Sequence, residues 1–407
     1  MRFFTVFALC MLVSSCSSSE RRREKEENSD TAFLRELVSI SSGTADVAGV
    51  NAVQAHIAAR MTSLGLKVEW IENSDSKTQS GKMLVGTFKG ADPRYITLVG
   101  HADTVFEKLN PFNPSPDGKS ATGSGVSDEK GGVIVGLNAF AEVMKSAPKY
   151  SLRLIVTPSE ETGSHGFTSV LKKFSEDSVF VIGLEPVRPN GDFVIGRKGL
   201  RWYEVHVKGK EAHAGMDHEN GVNACHQAAL LAARLQEMTD YSKGTTLSIG
   251  HIEGGKDKFN IVCGEAIVKI DIRYANEKTG RELFQKIESL FRNPVVKSAR
   301  TGDLAEVSFE IRDEAEPFSS SPETLKYLPF YLKSVKELEG RDIRGEVTGG
   351  VGDLNKMVRD GQLMVDGMGA IGSGYHTAAE AVDLTSLQTR ARALSQFILG
   401  IESTLKL

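Results

Sequence analysis

Five stretches of this chain put histidine, aspartate and glutamate where a metal ion or a reactive water could use them. The apolar run Tyr95 to Val99 ends in Gly100-His101-Ala102-Asp103. His101 and Asp103 are two residues apart, so in extended chain they share a side. A carboxylate there can hold the second ring nitrogen of a ligating imidazole and fix its tautomer. Leu152 to Val156 leads to Thr157-Pro158-Ser159-Glu160-Glu161. Adjacent carboxylates repel, so this pair implies a cation, or a division of labour between a ligand and a base. Val179 to Leu184 ends in Glu185-Pro186. Asp128 stands in the glycine-rich turn Gly123 to Gly132, ahead of a helical pattern whose dipole favours an acid. Asp128 and Glu129 side by side exclude the phosphate cradle that such a turn can form. The fifth stretch, Gly372-Ser373-Gly374-Tyr375-His376, lies far downstream, with Glu380 four residues on. Imidazole and carboxylate without thiolate suit zinc kept open for a water, which the metal acidifies towards neutral pH.

Three of these stretches directly follow apolar strand-like runs. Open α/β sheets bind ligands outside the carboxyl ends of their strands, so the scaffold must gather those ends. Helical spacing appears at Phe33, Leu34, Leu37 and Val38, and again at Val53, Ile57, Met61 and Leu64, stopping at Gly65. Strand-like runs occupy Val68 to Ile71, Met83 to Phe88, Tyr95 to Val99, Leu152 to Val156 and Val179 to Leu184. Between them fall helices on Val133, Leu137, Phe140 and Met144 and around Val170 to Phe174. This alternation predicts an α/β domain with a mixed, mostly parallel sheet covered on both faces.

Near Lys198 the texture changes. Tyr203, Val205 and Val207 alternate with polar residues, as do Ala266, Val268, Ile270 and Ile272, the pattern of half-buried strands. Helices on Val222 to Leu235 and on Leu283, Ile287 and Leu290, with a strand at Val307 to Ile311, complete an α+β insert. The α/β pattern then resumes with a helix on Leu325, Leu328, Leu332, Val335 and Leu338, which Pro329 should kink. A last helix carries Leu387, Ala391, Leu394, Ile398 and Ile401.

With 407 residues, 40% hydrophobic and 25% charged, the chain has room for two or three domains and an ordinary globular composition. Its net charge of −4 argues against nucleic acid as a partner. The apolar run Phe3 to Val13 after Met1-Arg2 is too short to span a bilayer and reads as a secretory signal. Val13-Ser14-Ser15-Cys16 resembles a bacterial lipobox, so Cys16 is expected to carry lipid; a plain signal peptide cut nearby is the alternative. Glu20 to Asp30 carries no apolar residue and reads as a solvated tether. The expected division is leader 1–15, tether 16–30, catalytic segments 31–197 and 316–407, and insert 198–315. The chain is expected to be exported, anchored to the membrane through lipid alone, with a periplasmic body. Cys10 leaves with the leader; Cys225 and Cys263, both in the insert, are expected as two buried thiols, with pairing as the alternative.

In order and spacing, the stretches from about Leu98 onward resemble the co-catalytic di-zinc exopeptidases and amidohydrolases, which include glutamate carboxypeptidases, aminoacylases and desuccinylases. The similarity is greatest to the bacterial glutamate carboxypeptidases of the carboxypeptidase G type. The resemblance implies a phosphorylase/hydrolase-like catalytic domain with an inserted dimerisation, or lid, domain. It implies two Zn²⁺ per chain, one on His101 and Glu185, the other on Glu161 and His376, bridged by Asp128. It further implies Glu160 as general base, Asp103 as the carboxylate behind the metal ligands, and a cis peptide at Asp128-Glu129. His213, in Lys208-Gly209-Lys210-Glu211-Ala212-His213, matches a residue that stabilises the oxyanion, often from the partner subunit; without the resemblance it reads as a turn histidine. Asn260 and Arg273 match substrate-holding residues, although a solvated arginine is an alternative for Arg273; Arg197 and Lys198 could assist. Three positions depart from the family pattern. Gly352 stands where a hydroxyl residue is usual, Cys263 where a proline is, and Arg312 lies at the wrong offset for a second substrate arginine.

The expected activity is therefore zinc-dependent hydrolysis of an amide, releasing a C-terminal amino acid, with glutamate the expected one. An N-acyl amino-acid amidohydrolase, such as a deacylase or desuccinylase, is the alternative, and a non-catalytic binding protein on the same scaffold a more distant one. The implied partners are a small peptide or N-acyl amino acid and a second copy of the chain.

Overall fold

The computed structural model describes residues 29–75 and 78–405. The leader, Cys10, Cys16 and nearly all of the tether lie outside the described residues. Strands β1 (Lys67–Ile71), β2 (Met83–Phe88), β3 (Asp92–His101), β4 (Tyr150–Thr157) and β5 (Ser178–Gly183) form the main sheet with the short strand Met364–Val365. Its order is β1-β2-β4-β3-β5-Met364–Val365. Strands β4, β3, β5 and Met364–Val365 run parallel, while β1 and β2 are antiparallel additions at one edge. Every residue of β4 and β5 is buried, as central strands covered on both faces must be. Leu152, Leu154 and Val156 face one core and Ile155 the other, the period-2 alternation of a strand. The larger core lies under α1 (Ser29–Val38), α2 (Val47–Ser63) and α3 (Lys130–Met144); the smaller lies under α4 (Thr168–Glu176).

Register decides what the strand ends bring together. His101 is paired with Thr157 across β3 and β4, and Val99 with Gly183 across β3 and β5. The loops after three adjacent parallel strands therefore leave the sheet side by side.

The insert is a second sheet of β6 (Gly199–Lys208), β7 (Thr246–Gly254), β8 (Glu265–Tyr274) and β9 (Glu306–Ala315), ordered β7-β8-β6-β9 with antiparallel neighbours throughout. Helices α5 (Ala224–Gln236) and α6 (Glu277–Arg292) cover one face. Tyr203, Val205, Val207, Val268, Ile270 and Ile272 point into that core, while Trp202 on the opposite face is exposed. Asn223 and Asn276 cap the two helices by accepting from the backbone N–H of His226 and Thr279.

Two expectations need correction here. Cys225 and Cys263 are not free thiols: they form a disulfide with Cα atoms 5.6 Å apart, tying the start of α5 to the loop before β8. Nor does Pro329 kink a helix. The apolar pattern is split into α7 (Pro322–Leu325) and α8 (Leu328–Glu339), and Pro329 sits in the first turn of α8. An N–H missing there has no intrahelical partner to lose. The final helix α9 (Ser386–Thr404) packs on α3 and α8.

Two small sheets complete the frame. Phe193–Arg197 pairs with Phe318–Ser319 and Gly345–Thr348, clamping the entry and exit of the insert together. Gly372–Ser373, Ala381–Asp383, Ser120–Thr122 and Asn113–Pro114 form the other, which brings the far-downstream histidine loop against the Asp128 turn. No helix among the described residues is long and apolar enough to cross a membrane.

Candidate metal centre

The carboxyl ends of β3, β4 and β5 deliver His101, Glu160-Glu161 and Glu185 to one cleft. The turn before α3 adds Asp128, and the loop after Ser373 adds His376. These residues form two triads, His101-Asp128-Glu185 and Asp128-Glu161-His376, each with ligand atoms within 4.8 Å of one another. Asp128 belongs to both. His101 Nε2 lies 3.1 Å from Asp128 Oδ1 and 3.8 Å from Glu185 Oε1. His376 Nε2 lies 3.4 Å from Asp128 Oδ2 and 3.2 Å from Glu161 Oε2. Either triad could hold a divalent cation on nitrogen and oxygen alone, with Asp128 spanning the pair.

Each ligand is held from behind. His101 Nδ1 lies 3.1 Å from the Asp103 carbonyl oxygen and 3.4 Å from its carboxylate, so Nε2 is the nitrogen turned to the cleft. The Asp103 carboxylate also accepts from Thr44 Oγ1 and from the backbone N–H groups of Glu160 and Glu161, fixing the acid pair. Glu380 accepts from the N–H groups of Gly125, Ser127 and Asp128, locking the turn that carries Asp128. The Asp128-Glu129 peptide is cis. Tyr375 hydroxyl lies 2.8 Å from the carbonyls of Val187 and Gly372, and His376 takes a left-handed φ of 60°. That conformation costs a non-glycine residue about 1–2 kcal/mol, which the surrounding contacts must offset.

The electrostatics are those of a site built around positive charge. Burial and the nearby charge of Glu185 push Glu160 well above the usual carboxylate range; burial also raises Glu161. Glu185 is pushed up to about 8, chiefly by burial, although Arg197 opposes the shift. Burial disfavours a charged His101, yet hydrogen bonds to Asp103 and Asp128 outweigh it and raise the imidazole. Hydrogen bonds to Asp128 and Glu161 raise His376 to about 10. Without a cation the cluster must take up protons; a cation would replace them.

The cleft has a volume of about 480 Å³ and opens between the catalytic sheet and the insert. Glu160 and Arg273 both reach it, Arg273 already paired with Asp271 at 2.9 Å. His213 and Asn260 do not. They sit together on exposed loops, joined by the Ala214 N–H to Asn260 carbonyl bond of 3.0 Å. His213 Nδ1 accepts from the N–H groups of Gly215 and Met216, which leaves Nε2 as the outward donor. Lys198 lies outside the cleft, and its carbonyl accepts from Asn355. Arg312 is turned away, onto Glu204 and Glu310.

Sequence reasoning underrated Arg197 and passed over Glu129, Asp353, Asp366 and Lys356. Arg197 is buried in the cleft wall, 2.6 Å from Asp366 and 3.3 Å from Glu185. A Cβ at Gly352 would lie 3.4 Å from the Arg197 Cζ and 3.6 Å from Glu160 Oε1. Those are ordinary contact distances, so nothing in the structure explains glycine in place of the usual hydroxyl residue. Glu129 is buried beside His101, 3.4 Å from Nε2, with one carboxyl oxygen lacking a hydrogen bond. Asp353 accepts from Thr157 Oγ1 at 2.5 Å. The acid beside Asp128 and the charges flanking Gly196 and Gly352 were visible in the sequence, but their partners come from elements far away along the chain.

The pattern of peptidase dimerisation domains matches residues 195–299, and that of peptidase family M28 matches residues 83–222. Carboxypeptidase G2 of Pseudomonas sp. (strain RS-16) is 26% identical over 380 residues, covering 90% of this chain and 88% of that protein. Succinyl-diaminopimelate desuccinylase of Pelagibacter ubique (strain HTCC1062) is 24% identical over 393 residues, covering 91% and 98%. Among solved structures, a tripeptidase from Staphylococcus aureus superposes with a TM-score of 0.74 at 22% identity, covering 91% of this chain and 96% of that one. An M20 family metallo-carboxypeptidase from Sulfolobus solfataricus superposes with a TM-score of 0.68 at 16% identity, covering 91% and 98%. The two-triad acidic cleft, the α/β sheet with its inserted dimerisation-type sheet, and these likenesses agree: the chain is a metallopeptidase-type hydrolase similar to the M20 family.

Proposed function

We propose that the chain is a zinc-dependent exopeptidase that hydrolyses an amide to release a C-terminal amino acid, glutamate by preference. The observation that carries the reading is a pair of triads sharing Asp128, with Glu160 beside them and outside both. Two zinc ions bound there would polarise the scissile carbonyl and acidify a bound water. Glu160 takes the proton of the attacking water and hands it to the leaving amine nitrogen. Asp103 accepts from the Glu160 N–H and fixes its backbone for that exchange. Arg273 meets the terminal carboxylate with the guanidinium edge that Asp271 leaves free. His213 donates Nε2–H to the oxyanion in the cleft of a second subunit, which makes the active form a homodimer paired through the insert. Carboxypeptidase G2, at 26% identity over 90% of the chain, is a relative in keeping with the carboxypeptidase branch.

A second reading, hydrolysis of N-acyl amino acids such as succinyl amides, draws on Arg188 and Arg197, which put cations on the Glu185 side of the cleft. The leader and lipobox support an exported, lipid-anchored protein with a periplasmic body, as does the Cys225–Cys263 disulfide, a bond that persists in oxidising compartments. The test uses tether-truncated, zinc-loaded protein against dipeptides ending in Glu, Asp, Gln or neutral residues and against N-acyl amino acids. Near two zinc ions per chain and preferential cleavage of Glu-terminated dipeptides are expected. Glu160→Ala should keep its zinc and lose kcat by about 10²–10⁴. Retained turnover in that variant would remove Glu160 as base.

A further inference from the structure

Four cations line the metal cleft, and three are already engaged. Arg188 lies 2.5 Å from Glu346, Arg197 lies 2.6 Å from Asp366 and Arg273 lies 2.9 Å from Asp271. Lys356 differs. It is only 5% exposed, its nearest acid is Asp313 at 3.7 Å, and its ammonium makes no hydrogen bond among the described residues. Asp313 is itself nearly buried, and its Oδ1 already accepts from the N–H of Glu314. The stem of the side chain is buried while its ammonium opens to the cleft, where its donors are left for an acceptor on the substrate. The side chain comes from the one-turn helix Asp353–Lys356, whose first residue, Asp353, hydrogen-bonds to Thr157 at the end of β4. That anchor fixes the turn, so Lys356 is presented to the cleft from a rigid support rather than a loose loop.

We propose that Lys356 is a specificity-determining residue that receives the side-chain carboxylate of the released amino acid. The inference rests on the carboxypeptidase reading and sharpens it. Arg273 takes the carboxylate common to every C-terminal residue, and Lys356 selects residues that carry a second one. Asp313 weakens that selection, since it competes with the substrate for the same ammonium.

The test compares two dipeptides that differ only in a terminal Glu or Gln, with zinc-loaded wild type, Lys356→Met and Asp313→Asn. Lys356→Met should lower kcat/KM for the Glu dipeptide at least 30-fold and change the Gln dipeptide less than threefold. Asp313→Asn should lower KM for the Glu dipeptide alone, a gain that mere structural damage would not produce. Equal losses on both dipeptides, or none, would overturn the assignment. A binding arm separates this proposal from the reading beneath it. Glutarate and its monoamide are titrated into the zinc-loaded proteins, with the fluorescence of Trp202 in the cleft wall as readout. Lys356→Met should weaken glutarate at least tenfold and leave the monoamide unchanged. If wild type cleaves neither dipeptide, the carboxypeptidase reading fails, and the glutarate comparison still decides Lys356. Glutarate binding within twofold of wild type would overturn it.

Discussion

At the scale of single residues, the centre is a collection of groups that oppose one another until cations arrive. In the metal-free site His376 stays protonated up to about 10 and Glu185 up to about 8. Ligation needs a neutral imidazole and an ionised carboxylate, so binding must expel those protons. Metal affinity should therefore rise with pH below these values, by up to about tenfold per unit for each proton displaced. Competition against a chelator at pH 6, 7 and 8 measures this; a flat profile would contradict the protonation states. The sign for stability of the metal-free protein is opposite. A raised His376 stabilises the fold fully below the ordinary histidine value, and that contribution is lost as pH rises through about 10. Because the His376 side chain is 56% exposed, solvent screening keeps this contribution small.

At the scale of elements, close approach of helix to strand end positions the Glu185 ligand. Helix α3 starts directly after Asp128-Glu129 and runs under the end of β5. A Cβ at Gly132 would lie 2.2 Å from the carbonyl oxygen of Leu184, one residue before Glu185. That backbone cannot yield without moving the ligand. At Gly136, one turn on, the added Cβ would meet no backbone, only the side-chain ends of Leu184, Cδ1 at 2.7 Å, and Leu98, Cδ1 at 3.3 Å. Gly132→Ala should destabilise by about 1–3 kcal/mol and weaken metal binding. Gly136→Ala should stay within about 1 kcal/mol of wild type, because the gain in helix propensity offsets the tighter packing. Urea denaturation and metal titration of both variants check this, and matching behaviour would refute the close-approach argument.

At the scale of the whole molecule, the cleft is assembled between two sheets, while His213 and Asn260 face away from the cleft of their own chain. The exposed Met216 and Phe259 flank these two residues, with Phe259 wholly uncovered in the single chain. A second subunit would cover such surface and receive His213. Light scattering should accordingly give twice the monomer mass, and His213→Ala should lower kcat while leaving metal content unchanged. A monomer with full activity would deprive His213 of its proposed role.

The sequence by itself determined the class of fold and pointed to the residues that the fold gathers into the two triads. Each candidate sits in a short local context: His101, Glu160, Glu161 and Glu185 follow apolar strands, and Asp128 and His376 stand in glycine-rich turns. The alternation of strand and helix is equally local, because periodicity is a property of neighbours. What only the tertiary structure decided depends on residues distant in sequence. The pairing of His101 with Thr157 across the sheet aligned the strand ends, and Glu380 reached back to hold the Asp128 turn. Arg197 found Asp366 and Glu185, and Cys225 found Cys263 across 38 residues. Pro329 opened a helix because the chain turned just before it, which no count of apolar residues reveals. Lys356 reads as one more surface lysine until the fold buries it beside the cleft. Partners brought together by folding carry no local period, so their chemistry appears only when the chain is closed around them.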